Sequence, residues 1–450
     1  MDTIERETYR LHLRAAVFEM IFTQTMWSAV DVAAKNMDAG PFEVTIITMA
    51  PGAVLLISLF LAGFMERGTR AHLFLWPAIL GRLPLLLLFF FASPWMFIAL
   101  LVLQSFALMP ITAALNSVVR SNYADHSRGR LYGRASQFGH LASGLFVLGF
   151  GILLDDSPTA YRYVYPLVAI FGVVSCVLFM RMPQRPNSND TVTAAKTDPF
   201  YAIRVLRGDR LFRLYQLGFF VYGLAFMISV TAKPLFAANT LQLSNKEMLG
   251  ARALSSLMLV LFTPLMGRLL DRVNPAGLAS ICYPILAVTT GLLFTVNSGW
   301  AYLLCEGVFA FGMAGVFIAW NLGPVTLAEE GTAARYMGVH VALVGIRAII
   351  GHPVGGYIAS IDPRVAFPIS FLLFLVAATI MWRIRRPIEE RMQARREAAA
   401  TSTTATTMSS EELFATTLPE TPDPGYESRS GPGDAPDAPP SPTTTSPPRT

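Results

Sequence analysis

Long apolar segments alternate with short polar ones along most of the chain. Between charged or Pro/Gly-rich breaks there are twelve apolar runs, at residues 12–34, 42–65, 71–92, 95–119, 135–154, 163–182, 212–234, 249–270, 276–296, 300–325, 337–360 and 365–384. Each run reaches or approaches the roughly 20 residues with which a helix crosses the hydrocarbon core. None alternates with the period of two that is typical of a barrel strand. The pattern predicts an all-α integral membrane protein with twelve transmembrane helices.

Composition and charge agree with this prediction and add an orientation. Of 450 residues, 53% are hydrophobic and 14% are charged, which excludes a single soluble core. Basic residues are concentrated in the N-terminus and every second loop, and the other loops hold only Lys35, Arg162, Lys246, Arg252 and Arg364. The positive-inside rule therefore predicts a multi-pass protein of the cytoplasmic (inner) membrane, surrounded by the lipid bilayer, with both termini cytosolic. Because topology explains the basic charge, we expect no nucleic-acid partner.

The two halves of the chain repeat at an offset of about 205 residues. Polar and glycine positions coincide in a fixed register, and the matching pairs are Glu66 with Asp271, Arg67 with Arg272, Asn116 with Asn321, Arg130 with Arg335, and Gly133 with Gly338. Six helices per half make this a parallel repeat. We predict six-helix bundles at residues 1–182 and 211–386, a cytosolic linker at 183–210 and a cytosolic tail at 387–450. The tail is rich in Ser, Thr and Pro from Thr401 onward and is expected to be mostly disordered.

A short motif suggests a family. The segment "GRLLDR", with Gly267, Asp271 and Arg272, follows the second helix of a half and resembles the signature of the major facilitator superfamily of secondary transporters. The resemblance covers residues 1–386. It implies a cytosolic latch that joins the halves in one state of alternating access, formed by Glu66, Arg67, Arg70, Arg128, Arg130, Gly267, Asp271, Arg272 and Arg335. The alternative is that these residues are ordinary loop charges.

Charged residues inside apolar runs are the first candidates for a transport site, because a charge in the bilayer is costly. Glu306 and Arg347 lie on consecutive antiparallel helices and are expected to meet. They form either a coupling or substrate-binding carboxylate with a partner that can anchor an anionic substrate, or a purely structural ion pair. Asp31 and Lys35, four residues apart, are expected to pair structurally.

The family resemblance places the first and fourth helices of each half around a central cavity. With Glu306 and Arg347, the candidate substrate and coupling residues on these helices are Glu19, Gln24, Trp27, Gln104, Asn116, Tyr222, Trp320 and Asn321. Singly, each is more often a helix-packing group than a ligand contact. A few polar groups among aromatic and apolar ones favour an amphipathic organic solute.

The sequence lacks the usual signs of enzymatic or metal chemistry. It has no HExxH, GxSxG or P-loop motif, and its three cysteines lie within apolar runs without metal-ligand spacing. We expect no cofactor, no metal and no enzymatic activity. The sequence therefore predicts a monomeric secondary active transporter of a small organic solute, with a proton as coupling ion. A transporter-fold sensor or assembly protein and a membrane-embedded enzyme are the alternatives.

Overall fold

A computed structural model describes residues 1–67, 70–91, 93–183, 185, 201–329 and 332–416. Within these ranges the side chains of residues 57–67, 70–71, 108–109, 113, 125, 201–203, 334 and 398–416 lie outside the description. The predicted latch residues Glu66, Arg67 and Arg70 belong to that group. Most of the predicted linker and the last part of the tail are also outside the described residues.

Every regular element in the described residues is helical. The helices are α1 Thr3–Trp27, α2 Ala29–Asn36, α3 Pro41–Arg67, α4 Arg70–Trp76, α5 Pro94–Asn122, α6 Asp125–Asp156, α7 Tyr161–Met180, α8 Tyr201–Gly208, α9 Arg210–Leu235, α10 Asn245–Leu270, α11 Pro275–Leu292, α12 Gly299–Leu327, α13 Ala333–Ile361 and α14 Ala366–Thr416. A π-helical turn, Pro77–Arg82, and a 3-10 segment, Leu83–Phe89, continue α4, and a second π-helical turn, Phe236–Thr240, continues α9. The all-α fold is therefore confirmed.

Ten segments of the described chain are long and apolar enough to cross a membrane. The two predicted spans that are not among them lie at the start of the chain. Charged residues fill the first turns of α1, and the helix is interrupted at Ser28 before α2 begins. In α3 the described apolar part, Pro41–Leu56, is shorter than a full span. The count of twelve stays a prediction for these two.

Local chemistry explains where the helices differ from the sequence-based boundaries. The third span changes to π-helical and 3-10 geometry at Pro77 and Pro84, since a proline removes one backbone donor and forces the turn to readjust. At the other end of the chain α14 continues to Thr416, past the point where we expected disorder to begin at Thr401. No Gly or Pro occurs between Arg396 and Leu418, so nothing in the sequence terminates the helix there.

Two seams join the predicted halves. Along one seam α6 packs against α10, and along the other α3 packs against α13. In each seam the second helix of one half meets the fifth helix of the other, as a two-fold axis along the bundle requires. Close approach depends on small residues, because a side chain at Gly52 would collide with Ala348 and one at Gly151 with Leu249.

Candidate transport site and gates

The bundle has two ends that differ in their contacts. We call the end where α1 begins and α10 ends the terminal end, and the end where α10 begins and α6 ends the distal end. Helix alternation assigns every loop to one of them. The contacts that join the halves at each end show which end is closed.

At the distal end, side chains bridge the halves directly. Asp31 on α2 accepts two hydrogen bonds from the Arg252 guanidinium on α10, from Nε at 2.7 Å and from Nη2 at 3.3 Å. This forked geometry is the strong arrangement for an arginine and a carboxylate. Asp155, near the end of α6, accepts from the backbone N–H groups of Asn245 and Lys246 at 2.7 and 3.0 Å. It therefore caps the N-terminus of α10 across the seam, where the helix dipole favours a carboxylate.

Further polar contacts continue this closure toward the middle of the bundle. Gln24 on α1 donates to Ser256 on α10. Thr48 on α3 lies 3.3 Å from Thr231 on α9, whose hydroxyl is 2.9 Å from Nδ1 of His352 on α13. The Gln24–Ser256 and Thr48–Thr231 contacts join the two halves, so the polar bridges of the distal end extend toward the middle of the bundle.

At the terminal end Asp271 and Arg272 of the predicted latch do not join the halves. Asp271 and Arg272 are exposed, and neither side chain forms a hydrogen bond or an ion pair with a described residue. Arg128 donates to the carbonyls of Arg120 and Tyr123 within its own half, at 3.0 and 3.2 Å. The remaining latch candidates are Arg130 and Arg335, both exposed, and Gly267, where a side chain would point into open space. The structure thus has a closed distal end, and Asp271 and Arg272 do not close the terminal end.

Glu19, a predicted substrate residue, belongs to a buried network of the first half. One carboxylate oxygen pairs with Arg82 at 2.7 Å, and the other accepts from the Ser175 hydroxyl at 2.5 Å. Arg82 also donates to Ser175 at 2.7 Å and to the carbonyl of Gly172. Its guanidinium lies 4.4 Å from the ring centre of Phe22. The Glu19 carboxylate and the Arg82 guanidinium thus neutralise each other. Both carboxylate oxygens are occupied, one by Arg82 of the third span and the other by Ser175 on α7.

Glu306 has a different partner from the one that we predicted. Its carboxylate on α12 lies 2.5 Å from Nζ of Lys233 on α9, and both side chains are buried. The Lys233 ammonium also lies 3.7 Å from the ring centre of Phe309. The expected pair with Arg347 is therefore wrong: a lysine on the neighbouring helix α9 occupies the carboxylate. Asp31 likewise pairs with Arg252 and not with Lys35.

These two ion pairs are neighbours. The charge of Asp31 interacts with those of Glu306 and Lys233, and the charge of Arg252 interacts with that of Glu306. Two acids and two bases thus form one neutral cluster close to the distal end. We call Asp31, Arg252, Lys233 and Glu306 the distal charge cluster. Only its Asp31–Arg252 bond crosses between the halves.

Arg347 lies in the second half without a carboxylate. Its side chain is buried and donates from Nη1 to the carbonyl of Phe219 on α9. The guanidinium lies 5.7 Å from the ring centre of Tyr222, which is itself buried and stacked on Tyr283 at 4.7 Å. No acidic residue of the described chain forms an ion pair with Arg347, and its Nε has no hydrogen-bond partner there.

The other predicted cavity residues are scattered. Trp27 is 52% exposed, and Gln104 is buried. Asn116 and Asn321 are both exposed, and Asn321 donates to the Phe317 carbonyl on its own helix at 2.8 Å. No hydrogen bond in the described residues joins the two asparagines. They occupy corresponding positions in the repeat without bonding to each other. Trp320 is half-buried and packs 5.2 Å from the His340 ring.

Several polar residues around these sites were not among the predicted ones. His340 on α13 is buried, and its Nδ1 lies 2.8 Å from Oε1 of Gln216 on α9. Asp155, Arg252 and Ser256 form the distal contacts. One signal was available for His340, because it precedes Arg347 by two helical turns and so shares its face of α13. The distal partners carry no such local signal.

Outside the membrane, a further ion pair links three helices at the terminal end. Asp209, the N-cap of α9, accepts from Arg391 on α14 at 2.8 Å and from Tyr336 on α13 at 3.0 Å. Burial would raise the pKa of Asp209, but the hydrogen bonds from the Phe212 N–H and Arg391 outweigh it and hold the pKa below its ordinary value.

Comparison with known proteins agrees with this architecture. The model of the Major Facilitator Superfamily matches residues 15–346 and 253–418. The chain belongs to the Major Facilitator Superfamily. It is therefore a multi-pass membrane protein of a family of secondary transporters. No curated protein sequence matches it.

Solved structures with similar folds are transporters. The nucleoside transporter NupG has a TM-score of 0.61 at 14% identity, and the similarity covers 85% of this chain and 99% of that one. A bacterial homolog of the human lysosomal transporter Spinster, in an inward-facing and unoccupied conformation, has a TM-score of 0.63 at 14% identity and coverages of 87% and 98%. At these identities the similarity shows a shared fold and leaves the substrate open.

Proposed function

We propose that this superfamily member is a proton-coupled secondary transporter that moves a small organic, amphipathic solute by alternating access. The observation that carries the proposal is the asymmetry between the two ends. The distal end is closed by the Asp31–Arg252 pair and the Asp155 cap, whereas Asp271 and Arg272 of the latch have no partner in the described residues. Such an arrangement is one of two states that a rocking bundle can adopt.

The distribution of basic residues supports a cytosolic terminal end. Exposed arginines at that end include Arg130, Arg213, Arg268 and Arg272. By the positive-inside rule the two termini lie in the cytosol and the distal end faces outward. We therefore propose an inward-facing monomer in the cytoplasmic membrane, with the latch closing when the distal contacts open.

The distal charge cluster offers a route for proton coupling. In the described state Lys233 occupies the Glu306 carboxylate at 2.5 Å. A proton that binds Glu306 converts the carboxylate to the neutral acid and leaves Lys233 without its counter-ion. The electrostatic field that these two residues exert on the adjacent Asp31–Arg252 pair then changes. This pair has to separate before the distal end can open. Buried charges respond strongly to such a change because little water screens them.

The polar candidates around the central space would contribute to solute binding. Gln24 already bridges the halves through Ser256, and Trp320 presents a half-buried ring. The exposed amides of Asn116 and Asn321 occupy corresponding positions in the repeat. A lining of few amides among aromatic rings suits a solute with both polar and apolar parts. Glu19 is a poorer candidate, because Arg82 and Ser175 occupy its carboxylate.

Transport into proteoliposomes tests this proposal. Purified protein is reconstituted with an imposed proton gradient, and uptake is measured for labelled organic acids, amino acids, sugars and nucleosides. We expect one solute class to accumulate and the accumulation to stop when a protonophore collapses the gradient. Glu306→Gln should abolish accumulation but retain exchange of solute for solute. Glu390→Gln, which removes an exposed acid of α14, is the matched control.

Two outcomes would contradict the proposal in different ways. Gradient-driven accumulation by Glu306→Gln at the rate of the wild type would exclude this residue as the coupling group. A protein that moves no solute, yet melts at a higher temperature with a ligand, would be a sensor built on a transporter fold.

A further inference from the structure

We propose that the second half contains an anion pocket, formed by Arg347, His340, Gln216 and Tyr283, that binds the carboxylate of an organic acid with an aromatic or apolar body. Its assignment as the substrate's anchoring point rests on the transport function proposed above. Four observations on the described residues lead to it: an uncompensated buried cation, a set of free polar atoms beside it, a glycine that makes room for it, and aromatic walls.

The first observation is the state of Arg347. The side chain is 5% exposed, its one hydrogen bond in the described part of the chain goes to the Phe219 carbonyl, and no carboxylate there pairs with it. A guanidinium cannot be deprotonated in a protein, so the positive charge remains. A buried charge without a counter-ion costs several kcal/mol. An anion that is not part of the chain would remove this cost.

The second observation is that unpartnered polar atoms accompany this charge. Nε2 of Gln216, Nε2 of His340 and the hydroxyl of Tyr283 are all buried and have no hydrogen-bond partner in the described residues. Gln216 already accepts at Oε1 from Nδ1 of His340, 2.8 Å away, so the Nε2 group of Gln216 is left as a donor and Nε2 of the neutral His340 ring as an acceptor. The Phe219 ring, whose own residue accepts from Arg347 at its carbonyl, lies 5.2 Å from the His340 ring and 6.0 Å from the Tyr283 ring. The Gln216 amide and the Tyr283 hydroxyl are thus donors near a cation, with no carboxylate among them, and this is the chemistry that binds an anion.

The third observation concerns the backbone of α9. A side-chain carbon at Gly223 would collide with Nε, Cδ and Cζ of Arg347. The absence of a side chain at this position lets the guanidinium of α13 lie directly against α9. Gly223 therefore leaves the space that the Arg347 side chain fills. Its replacement by alanine would displace the guanidinium without changing any charge.

The fourth observation is the character of the walls. The His340 ring is 5.2 Å from the rings of both Phe219 and Trp320, and Tyr222 lies beneath Arg347. Trp320 is half-buried, so this side of the pocket reaches the less enclosed part of the bundle. An aromatic ring attached to a carboxylate could pack on Trp320 while its charge reaches Arg347. The aromatic rings and the charge together favour aromatic or apolar monocarboxylates over sugars or organic cations.

Matched anions and neutral amides test the pocket. The melting temperature and equilibrium binding of the purified full-length protein are measured with benzoate and phenylacetate and with benzamide and phenylacetamide, which keep the shape and lose the charge. We expect the anions to bind and to raise the melting temperature, and the amides to do neither. Arg347→Gln should weaken anion binding at least tenfold, and Gly223→Ala should also weaken it. Arg383→Gln, which removes an exposed arginine of α14, should bind as the wild type does.

A second readout separates binding from a merely structural role. Because Arg347 is uncompensated, Arg347→Gln should melt without ligand at the temperature of the wild type or above it. A structural arginine would instead lower the melting temperature when it is removed. Arg347→Lys keeps the charge but loses the planar fork, and we expect it to retain part of the binding.

The results that overturn the inference differ from those that overturn the transport proposal. The pocket is excluded if neither anion binds better than its amide, or if Arg347→Gln and Gly223→Ala both retain full affinity. Proton-driven uptake of a neutral solute, unaffected by Arg347→Gln, would also exclude it and would leave the transport proposal intact. Anion binding that depends on Arg347, without any uptake, would support the pocket and contradict the transport proposal.

Discussion

Each half of the bundle buries an arginine, and the two arginines have opposite surroundings. Arg82 pairs with Glu19 at 2.7 Å, donates to Ser175 and to the Gly172 carbonyl, and lies over the Phe22 ring. Arg347 has one carbonyl and the Tyr222 ring beside it and no carboxylate in the described residues. In sequence both are single arginines within apolar helices. The difference indicates that the first cluster stabilises the fold and that the second is completed by something outside the chain.

The largest effect is expected at the complete cluster. Arg82→Gln leaves Glu19 buried without its cation, and we expect the free energy of unfolding to fall by about 3–5 kcal/mol. Glu19→Gln should cost a similar amount. Unfolding in detergent, followed by the loss of helical circular dichroism, measures both, with Arg383→Gln as the exposed control. If Arg82→Gln cost no more than Arg347→Gln, the contrast between the two arginines would be lost.

A smaller effect is expected for a pair that is complete in this state but has to part during transport. Asp31→Arg and Arg252→Asp each place like charges across the distal seam, and either should favour opening of the distal end. A close charge pair of this kind is worth about 1.5–3 kcal/mol, which corresponds to a change in the open population of tenfold or more. The double variant exchanges the charges and should restore closure.

Labelling of a cysteine measures this equilibrium. Leu249 is buried against Gly151 in the distal seam, so Leu249→Cys should react slowly with an impermeant maleimide added from the distal side. The native Cys176, Cys282 and Cys305 are buried and are replaced by alanine for this test. Faster labelling in the single variants and slow labelling in the double variant are the expected results. Equal rates in all four proteins would show that the pair does not hold the distal end closed.

The smallest effect is expected outside the membrane, where water screens the charges. The hydrogen bonds of Asp209 hold its pKa below the ordinary value, so its ionised form is favoured in the folded protein. The contribution to stability is complete above the unfolded pKa, near 4, and disappears as the pH falls through the lower folded pKa. We expect less than about 1 kcal/mol.

The melting temperature as a function of pH tests this pair. Between pH 6 and pH 3 the wild type should lose stability relative to Asp209→Asn, whose side chain does not titrate. Parallel curves for the two proteins over this range would show that the Asp209–Arg391 bond contributes nothing that depends on protonation.

The sequence predicted the general fold because hydrophobicity acts along the chain. Runs of about 20 apolar residues have few alternatives to a membrane helix, and the family assignment followed from the register of the repeat and from "GRLLDR". Glu306 and Arg347 were correctly singled out as buried charges. The free-energy cost of placing a charged side chain in the membrane depends on the residue and on the apolar helix that carries it. It can therefore be recognised from the sequence without knowing the neighbouring helices.

Partner choice could not be predicted in the same way. Glu306 pairs with Lys233, and Asp31 pairs with Arg252, 221 residues away. Each partner depends on how two helices rotate about their axes and on which of them are adjacent, and a uniformly apolar helix gives little periodic signal for its rotation. Only the tertiary structure therefore decided that Arg82 pairs with a carboxylate, that Arg347 does not, and that the distal end is the closed one. Apolar length, a local property, determined the spans, whereas the pairing of charges is a property of packed helices.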